Sequence, residues 1–167
     1  RARAAAPGAA EAPRFAGLGV PSRVWVVGAV HGEAGRLATL ANWIAAGFQP
    51  GDRLVFAGNL VGLGPDPAGA VAGALDLRRR CLGKPGAEAS DIVVLRGCQE
   101  EMLTKLLQIQ YAPMPGRILD WLAARGVAAT LGSYGHDIAE ARAAARDGPV
   151  RLARWTNSVR AAIRARP

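Results

Sequence analysis

Three short runs of apolar, mostly β-branched residues each end at or shortly before a glycine. Runs of this length between polar or glycine-rich segments are typical of strands buried in a sheet. We therefore predict three strands, at residues 24–27, 54–57 and 92–95.

Each predicted strand is followed by a segment whose apolar residues recur at intervals of three and four. This spacing places the apolar side chains on one face of a helix. The predicted helices cover residues 33–46, 66–80 and 100–110, and Pro67 suits the first turn of the second helix. Strands and amphipathic helices that alternate in this order predict an α/β fold, in which right-handed crossovers join parallel strands.

After these elements the strand pattern fades. Helical spacing continues at residues 115–125, 137–146 and 149–164, and residues 127–135 are predicted to be a connector. The sequence therefore predicts a βαβαβα parallel-sheet unit that is followed by C-terminal helices.

The first residues of the chain have a different composition from the rest. Residues 1–22 are rich in Ala, Pro, Gly and Arg and show no apolar period, which is typical of a flexible tail. We divide the chain into this tail, an α/β domain at residues 23–135 and a helical segment at residues 136–167. The tail lacks the continuous apolar core of a secretory signal. No window approaches the roughly 20 apolar residues that a membrane span needs.

The composition favours a globular chain with a basic surface. Half of the residues are hydrophobic and 20% are charged, which argues against global disorder. The formal net charge is +8, and all basic residues except Lys84 and Lys105 are arginines. Such a chain is able to bind nucleic acid or an acidic protein. The arginines are scattered, however, and aromatic residues make up only 5%, so a solvated basic surface is favoured over a nucleic-acid site.

The chain contains two cysteines, Cys81 and Cys98. Two cysteines do not make the disulfide framework that is typical of small secreted domains. A reducing compartment is the simpler interpretation, and we predict that the protein is cytoplasmic.

The segments after the three predicted strands hold the most unusual residues. They read Gly-Ala-Val-His-Gly at 28–32, Gly-Asn-Leu-Val-Gly-Leu-Gly-Pro at 58–65 and Arg-Gly-Cys-Gln-Glu-Glu at 96–101. In open α/β sheets, ligands bind beyond the carboxyl ends of the strands. Because one crossover separates each loop from the next, we expect all three loops to meet at one rim of the sheet.

These loops resemble those of the calcineurin-like metallophosphoesterases, and most closely those of the serine/threonine protein phosphatase and diadenosine tetraphosphatase branch. That family carries Gly-Asp-x-His-Gly, then Gly-Asp-x-Val-Asp-Arg-Gly-Pro, then Arg-Gly-Asn-His-Glu. The Thr-Leu-Gly-Ser-Tyr-Gly stretch at 130–135 is similar to a Thr-Leu-x-Ser-Tyr-Gly stretch of bacterial members. The resemblance covers about residues 23–135, and three spaced motifs in the correct order make it specific.

The resemblance implies a pair of metal ions, Mn or Fe, that activates water and clamps a phosphate. The first aspartate ligand falls on Ala29, the bridging aspartate on Asn59 and the asparagine ligand on Cys98, while His31 keeps its place. Two further histidine ligands have no counterpart, because His136 does not lie in a matching motif. Hard divalent cations need anionic ligands, so we expect no metal and no other cofactor. His31 and Asn59 are the candidates that remain for a metal.

The positions that would handle phosphate are also altered. The Asp-Arg pair of the family falls on Gly62 and Leu63, and the histidine regarded as its general acid falls on Gln99. Only Arg96 and Glu100 survive in this group. The resemblance therefore implies a pseudoenzyme without catalytic residues. Its vestigial motif positions are Ala29, His31, Asn59, Gly62, Leu63, Arg96, Cys98, Gln99 and Glu100.

Each retained side chain also has a structural interpretation. His31 and Asn59 suit hydrogen bonds to the backbone of tight turns. An ion pair with Glu101 or its acidic neighbour explains Arg96 better than phosphate binding does. Cys98 lies at a strand-to-helix junction, where a thiol can be activated, so a reactive cysteine is a further alternative.

The family fold, as the resemblance implies, is a β-sandwich whose second sheet comes from the later half of the chain. Because the strand pattern is missing there, we expect an apolar sheet face or a strand edge to be uncovered. The C-terminal helices from Asp137 onward, a second copy of the chain or another protein would cover it.

The sequence thus predicts a non-catalytic pseudo-phosphoesterase that acts as a structural or accessory subunit of a larger protein assembly. The alternative is an active metal-dependent phosphoprotein phosphatase or nucleotide phosphohydrolase with an atypical metal site. A second alternative is a basic nucleic-acid-associated module.

Overall fold

A computed structural model describes residues 17–166 of the chain. Residues 1–16, most of the predicted tail, lie outside the described residues. Residues 17–22 have no helix or strand and lead into the first strand. The Leu18 carbonyl accepts a hydrogen bond of 3.1 Å from Nε of Arg53, so this segment contacts the sheet.

Three parallel strands form the sheet: β1 at Arg23–Val27, β2 at Asp52–Phe56 and β3 at Ile92–Val94. They lie in the order β1-β2-β3, with β2 in the centre. Each strand overlaps its predicted position, and the predicted α/β architecture is confirmed. The apolar, β-branched runs became strands because pairing with β2, or for β2 pairing on both sides, and the packing of one sheet face shield them from water.

Two helices cover one face of the sheet. Helix α1 spans Ala34–Gly47, and helix α2 spans Pro67–Leu82. Pro67 stands in the first turn of α2, and the Asp66 side chain caps this helix by accepting a hydrogen bond from the Gly69 N–H. The first hydrophobic core includes Val27, Leu37, Ala41, Ile44, Phe48, Leu54, Phe56, Ala70, Ala74, Leu77 and Ile92.

Five helices follow β3 in the described part of the chain. They are α3 at Cys98–Leu107, α4 at Pro115–Ala123, α5 at Val127–Ser133, α6 at Ile138–Arg146 and α7 at Pro149–Ala165. Short 3-10 turns lie at Ala89–Asp91 and Ile109–Tyr111. None of the helices among residues 17–166 combines the length and apolar character needed to cross a membrane.

The prediction of a connector at residues 127–135 is wrong, because α5 occupies most of it. Gly126, with a φ of 97°, ends the preceding segment and starts the new helix. Helix α5 buries Val127, Thr130 and Leu131. With about two turns it is too short to show a clear apolar period in the sequence.

The five later helices build a second core of their own. It includes Met102, Leu106, Ile109, Leu119, Leu122, Val127, Leu131, Ala141, Leu152, Trp155 and Val159. Helix α7 packs on α6, on α3 and on the turn at Ile109–Tyr111, and α6 packs on α4. The hypothesis that the C-terminal helices cover the sheet is therefore wrong, since their apolar sides are used within this second core.

The side of the sheet opposite α1 and α2 forms an open face, made of Val24, Val26, Val55, Val93 and Leu95 together with Arg53, which lies beside Val24 and pairs with Asp91. The strand register places Val26, Val55 and Val93 next to one another across the three strands. Val24 is 43% exposed, Val26 is 63% exposed and Leu95 is 45% exposed. The expected uncovered apolar face is thus present in the described part of the chain.

A buried carboxylate, Asp52, ties the start of the sheet to the end of α1. It is 1% exposed and accepts hydrogen bonds from Arg23, from the Trp25 indole N–H and from the Gln49 N–H. Arg23 also donates to the Gly47 carbonyl. Burial by itself raises the pKa of Asp52, but these hydrogen bonds and the charge of Arg23 outweigh it, so the pKa is lowered.

Candidate functional site

The loops after β1 and β2 are joined through their backbones. The Asn59 carbonyl accepts hydrogen bonds from the N–H groups of Val30 and His31, at 3.0 and 2.8 Å. The Leu60 carbonyl accepts one from the Gly32 N–H, also at 2.8 Å. These two loops therefore meet beyond the carboxyl ends of their strands, as the spacing predicts.

Glu100, in the first turn of α3, joins the loop after β3 to the loop after β2. One carboxylate oxygen accepts hydrogen bonds from the N–H groups of Gly97 and Asn59, both at 2.8 Å. The other oxygen accepts from Leu60 at 2.8 Å and from Val61 at 3.3 Å. Hydrogen bonds to an ionised carboxylate are stronger than neutral ones. We refer to the three loops held in this way, residues 28–32, 58–64 and 96–100, as the loop junction.

Asn59 adds a second connection within the loop junction. Its φ of 55° is a left-handed conformation, which asparagine tolerates better than most residues. Its Oδ1 accepts a hydrogen bond of 2.9 Å from the Gln99 N–H. Because the first N–H groups of a helix have no acceptor within the helix, this bond caps α3.

Gly58 and Gly97 bring the second and third loops into direct backbone contact. Gly58 has a φ of 87°, and a Cβ placed on it would lie 2.3 Å from the Gly97 nitrogen. No side chain fits at this distance, and the positive φ also favours glycine. The two loops are therefore in contact through main-chain atoms at this point.

Gln99 and Gly62 connect the loop junction to the segment around α5. Gln99 is 7% exposed, and its Nε2 donates a hydrogen bond of 2.9 Å to the Arg125 carbonyl. The Gly62 N–H donates one of 3.0 Å to Oγ1 of Thr130. Oε1 of Gln99 is buried and has no hydrogen-bond partner within residues 17–166. The position at which the resemblance implies a general acid thus holds a buried amide that binds a neighbouring backbone.

His31 takes part in the loop junction through its backbone. It has a φ of 51°, and its carbonyl accepts a hydrogen bond of 2.6 Å from the Gly64 N–H. Its Nδ1 is buried without a hydrogen-bond partner among the described residues. The expected bond from the side chain to the loop backbone is therefore not formed by Nδ1.

The remaining motif positions lie on the outside of the loop junction. Ala29, Leu63, Arg96 and Cys98 are exposed. Arg96 pairs with Glu101 at 3.2 Å, one of the two acidic partners that the sequence offered. Cys98 is the first residue of α3, and its thiol is free. The structure thus brings Asn59, Gly62, Gln99 and Glu100 together and leaves these four at the rim.

The residues of the loop junction do not fit the dinuclear Mn or Fe centre that the resemblance implies. Ala29 has no donor atom, Oδ1 of Asn59 caps α3, and the Glu100 carboxylate binds four N–H groups. Among residues 17–166, no group of three His, Cys, Asp or Glu side chains is arranged to hold a metal ion. Two divalent cations require anionic oxygen ligands that this set does not supply.

Helix α5 supports the loop junction, although the sequence interpretation gave it no role. Oγ1 of Thr130 accepts a hydrogen bond from the Gly62 N–H. Ser133 Oγ accepts a hydrogen bond of 3.2 Å from the Ala68 N–H and donates one of 2.8 Å to the Thr130 carbonyl. Both residues lie in the Thr-Leu-Gly-Ser-Tyr-Gly stretch, whose likeness to a family motif was the signal that pointed to them.

Comparisons with known proteins assign no family to this chain. No family model, no curated protein and no solved structure matches it. The similarity to the metallophosphoesterases therefore rests on the order and spacing of the loop motifs.

Proposed function

We propose that this protein is a non-catalytic structural or accessory subunit of a larger protein assembly, built on a degenerate α/β unit of the calcineurin-like metallophosphoesterase type. The observation that carries the proposal is the bonding of Glu100 and Asn59. Both residues stand at motif positions, and both are engaged in holding loops together. The order of strands, motif loops and helices is compatible with the first half of that fold.

The chemistry of the motif positions argues against catalysis. The Gln99 amide does not supply a proton as the histidine of the family would, because an amide does not titrate near neutral pH. Leu63 carries no charge that would bind a phosphate oxygen. Arg96, the surviving cation of the motifs, is exposed and paired with Glu101. Each change removes a different catalytic contribution, so no single repair would restore the reaction.

The open face of the sheet is the binding surface in this proposal. Parallel sheets in proteins are usually covered on both faces, whereas Val24, Val26 and Leu95 are each more than two-fifths exposed here. Neighbouring apolar side chains on a flat surface favour contact with another protein. Within residues 17–166, no strand pairs with the outer edge of β1, the end strand of the sheet, so this edge can bind an added strand.

The partner in this proposal is a different protein with an acidic surface. A net charge of +8 makes two copies of the chain repel each other, whereas it attracts an acidic partner. Self-association is therefore the less favoured way of covering the open face.

A cytoplasmic location agrees with the state of the cysteines. Cys81 and Cys98 are both free, and burial raises the pKa of the Cys81 thiol. Free thiols persist in a reducing compartment, so the proposal places the subunit in the cytoplasm.

The experiment uses tagged wild-type chain, a Val26→Lys variant and a matched Val150→Lys variant. Val26 is 63% exposed on the open face, and Val150 is 65% exposed on α7. The tagged chain is used to isolate its complexes from the source organism. Each complex is then rebuilt from purified components, and the affinity of the chain for its partner and the mass of the complex are measured by calorimetry and light scattering. We expect a stoichiometric complex with an acidic protein that Val150→Lys retains and that Val26→Lys weakens by about tenfold or more.

Three results would contradict the proposal. A complex that Val26→Lys leaves intact would remove the open face as the interface. A homo-oligomer of pure wild-type chain that Val26→Lys dissociates would replace the acidic partner by a second copy. Steady hydrolysis of p-nitrophenyl phosphate by pure protein supplied with Mn²⁺ would show an active enzyme.

A further inference from the structure

An arginine-lined pocket of about 390 Å³ lies between the first turn of α4 and the last turn of α6. It lies on the surface of the helical part of the chain, where Arg117, Asp120 and Arg146 are exposed, and it shares no residue with the loop junction. Three arginines and one carboxylate line it, together with apolar atoms of Met114 and Ala145. The charged residues are Arg117, Asp120, Arg142 and Arg146.

Only one of the three guanidinium groups is neutralised within the pocket. Arg142 donates to Asp120 at 2.8 to 2.9 Å. The contact of Arg117 is with the sulfur of Met114, at 4.0 Å, which supplies no negative charge. Within residues 17–166, Arg146 forms no ion pair. The lining thus carries two positive charges in excess, and an anion between them would relieve their mutual repulsion.

The backbone at the start of α4 adds donors on the same side of the pocket. The helix begins with Pro115, which has no N–H, and no side chain caps it. The N–H groups of Gly116 and Arg117 therefore have no acceptor within the helix. The positive end of the helix dipole supports the arginines without being needed to define the site.

Two features of the pocket oppose an anion. The Asp120 carboxylate repels it, and the last turn of α6 presents the negative end of its helix dipole. A singly charged anion would gain little against this opposition. A doubly charged oxyanion gains more, because planar guanidinium groups bind its oxygens through paired hydrogen bonds.

We propose that this pocket binds the phosphate group of a small molecule, with Arg117 and Arg146 as its principal ligands and Arg142 as an additional donor. The inference is independent of the proposed accessory function, because it concerns other residues and another ligand class. Free inorganic phosphate carries the required chemistry and is therefore a suitable probe.

The experiment titrates the full chain with inorganic phosphate by calorimetry, at constant ionic strength maintained with chloride. We compare wild type with Arg117→Ala/Arg146→Ala and with a control pair, Arg36→Ala/Arg79→Ala. The control removes the same charge from residues that are 85 and 72% exposed on α1 and α2. We expect saturable binding that the pocket pair weakens by about tenfold or more and that the control pair changes by less than about twofold.

A second comparison removes the opposing carboxylate. Asp120→Asn removes the charge that pairs with Arg142. We therefore expect this variant to bind phosphate about threefold more tightly than wild type does. Asp76→Asn makes the same charge change on α2, where Asp76 is 53% exposed, and should leave the affinity unchanged. Thermal denaturation of every variant verifies that each one is folded.

The inference fails if wild type shows no saturable phosphate binding, or if both arginine pairs weaken binding equally. The second result would mean that the net charge of the chain, and not the pocket, attracts phosphate. Tighter binding of a single-stranded oligonucleotide, lost in the same pocket variant, would assign the pocket to nucleic acid and overturn the small-molecule ligand.

Discussion

The molecule has two halves that bury their apolar residues in different ways. The sheet half consists of β1 to β3 with α1 and α2, and the helical half consists of α3 to α7. In the sheet half, one face packs on two helices, while the other face leaves Val26 63% exposed. In the helical half, five helices turn their apolar sides toward a shared core. The helical half is therefore closed with respect to its own core, whereas the sheet half is complete on one side only.

This difference locates the functional surfaces. A half that encloses its core needs no partner, while a parallel sheet with one bare apolar face is stabilised by whatever covers it. The two halves meet at the loop junction, where Glu100 and Gln99 of α3 bind the loops of the sheet half and the segment before α5. Four of the motif positions, Asn59, Gly62, Gln99 and Glu100, thus serve as the connection between the two halves.

The largest effect is expected at the direct backbone contact of the junction. Gly58→Ala places a methyl group 2.3 Å from the Gly97 nitrogen, at a φ that disfavours alanine. We expect the free energy of unfolding to fall by about 4 kcal/mol. Chemical denaturation measures it, with Gly116→Ala as the control, because a Cβ there meets open space. Equal stability of the two variants would contradict the contact.

Replacement of the central carboxylate tests whether the junction couples the two halves. Glu100→Gln keeps the size but loses the charge that binds four N–H groups, so we expect a loss of about 3 kcal/mol. Hydrogen exchange should then show the two halves opening separately, where wild type opens as one unit. Glu101→Gln, which removes only an exposed ion pair, should cost less than about 1 kcal/mol. A uniform loss of protection over both halves would argue against coupling through the junction.

Asp52 lies away from the loop junction, so its replacement measures stability that comes from within the sheet half alone. Asp52→Asn removes the negative charge and one of the two oxygens that accept hydrogen bonds from Arg23 and Trp25, and we expect a loss of about 2 kcal/mol at neutral pH. Because folding lowers the pKa of Asp52, its contribution is present above the unfolded value of about 3.9 and is lost as pH falls through the folded value.

Denaturation midpoints of wild type and Asp52→Asn between pH 2 and 7 measure this contribution. Below about pH 4, wild type should lose part of the extra free energy of unfolding that ionised Asp52 supplies. The variant has no carboxylate at this position, so its stability should lack this pH dependence. Parallel pH profiles for the two proteins would show that Asp52 has the same pKa in the folded and unfolded chains.

The smallest effect is expected at the cap of α3. Asn59→Ala removes the acceptor for the Gln99 N–H, and we expect a loss of about 1 kcal/mol. Asn59→Gly also loses the cap but relieves the backbone strain at a φ of 55°, so it should be the more stable of the two variants. The reverse order in thermal denaturation would mean that the strain at residue 59 is unimportant.

The fold was predictable from the sequence wherever apolar residues recur with the period of a strand or a helix. The strands and α1, α2, α6 and α7 follow from apolar runs, helical spacing and residues such as Pro67 and Asp137 that start helices. Helix α5 was missed because seven residues are too few to show a period. The start of α3 at Cys98 was placed two residues late, at Glu100, since the N-terminal turn of a helix need not carry apolar residues.

The site was predictable in position but not in its bonding. Loop spacing indicated that the three motifs converge, and motif likeness pointed to Asn59 and Glu100. That Glu100 binds the N–H groups of Asn59, Leu60 and Val61, or that Gln99 binds the Arg125 carbonyl, depends on contacts across 26 to 41 residues. A sequence pattern of local period contains no information on such bonds.

Equilibrium dialysis of the pure protein against Mn²⁺, with the bound metal counted by mass spectrometry, shows whether the loop junction holds metal ions. We expect far less than one ion per chain, and no difference between wild type and His31→Ala. Two ions per wild-type chain, lost in His31→Ala and accompanied by hydrolysis of a phosphomonoester, would show that the loop junction is a catalytic metal centre and would contradict the account.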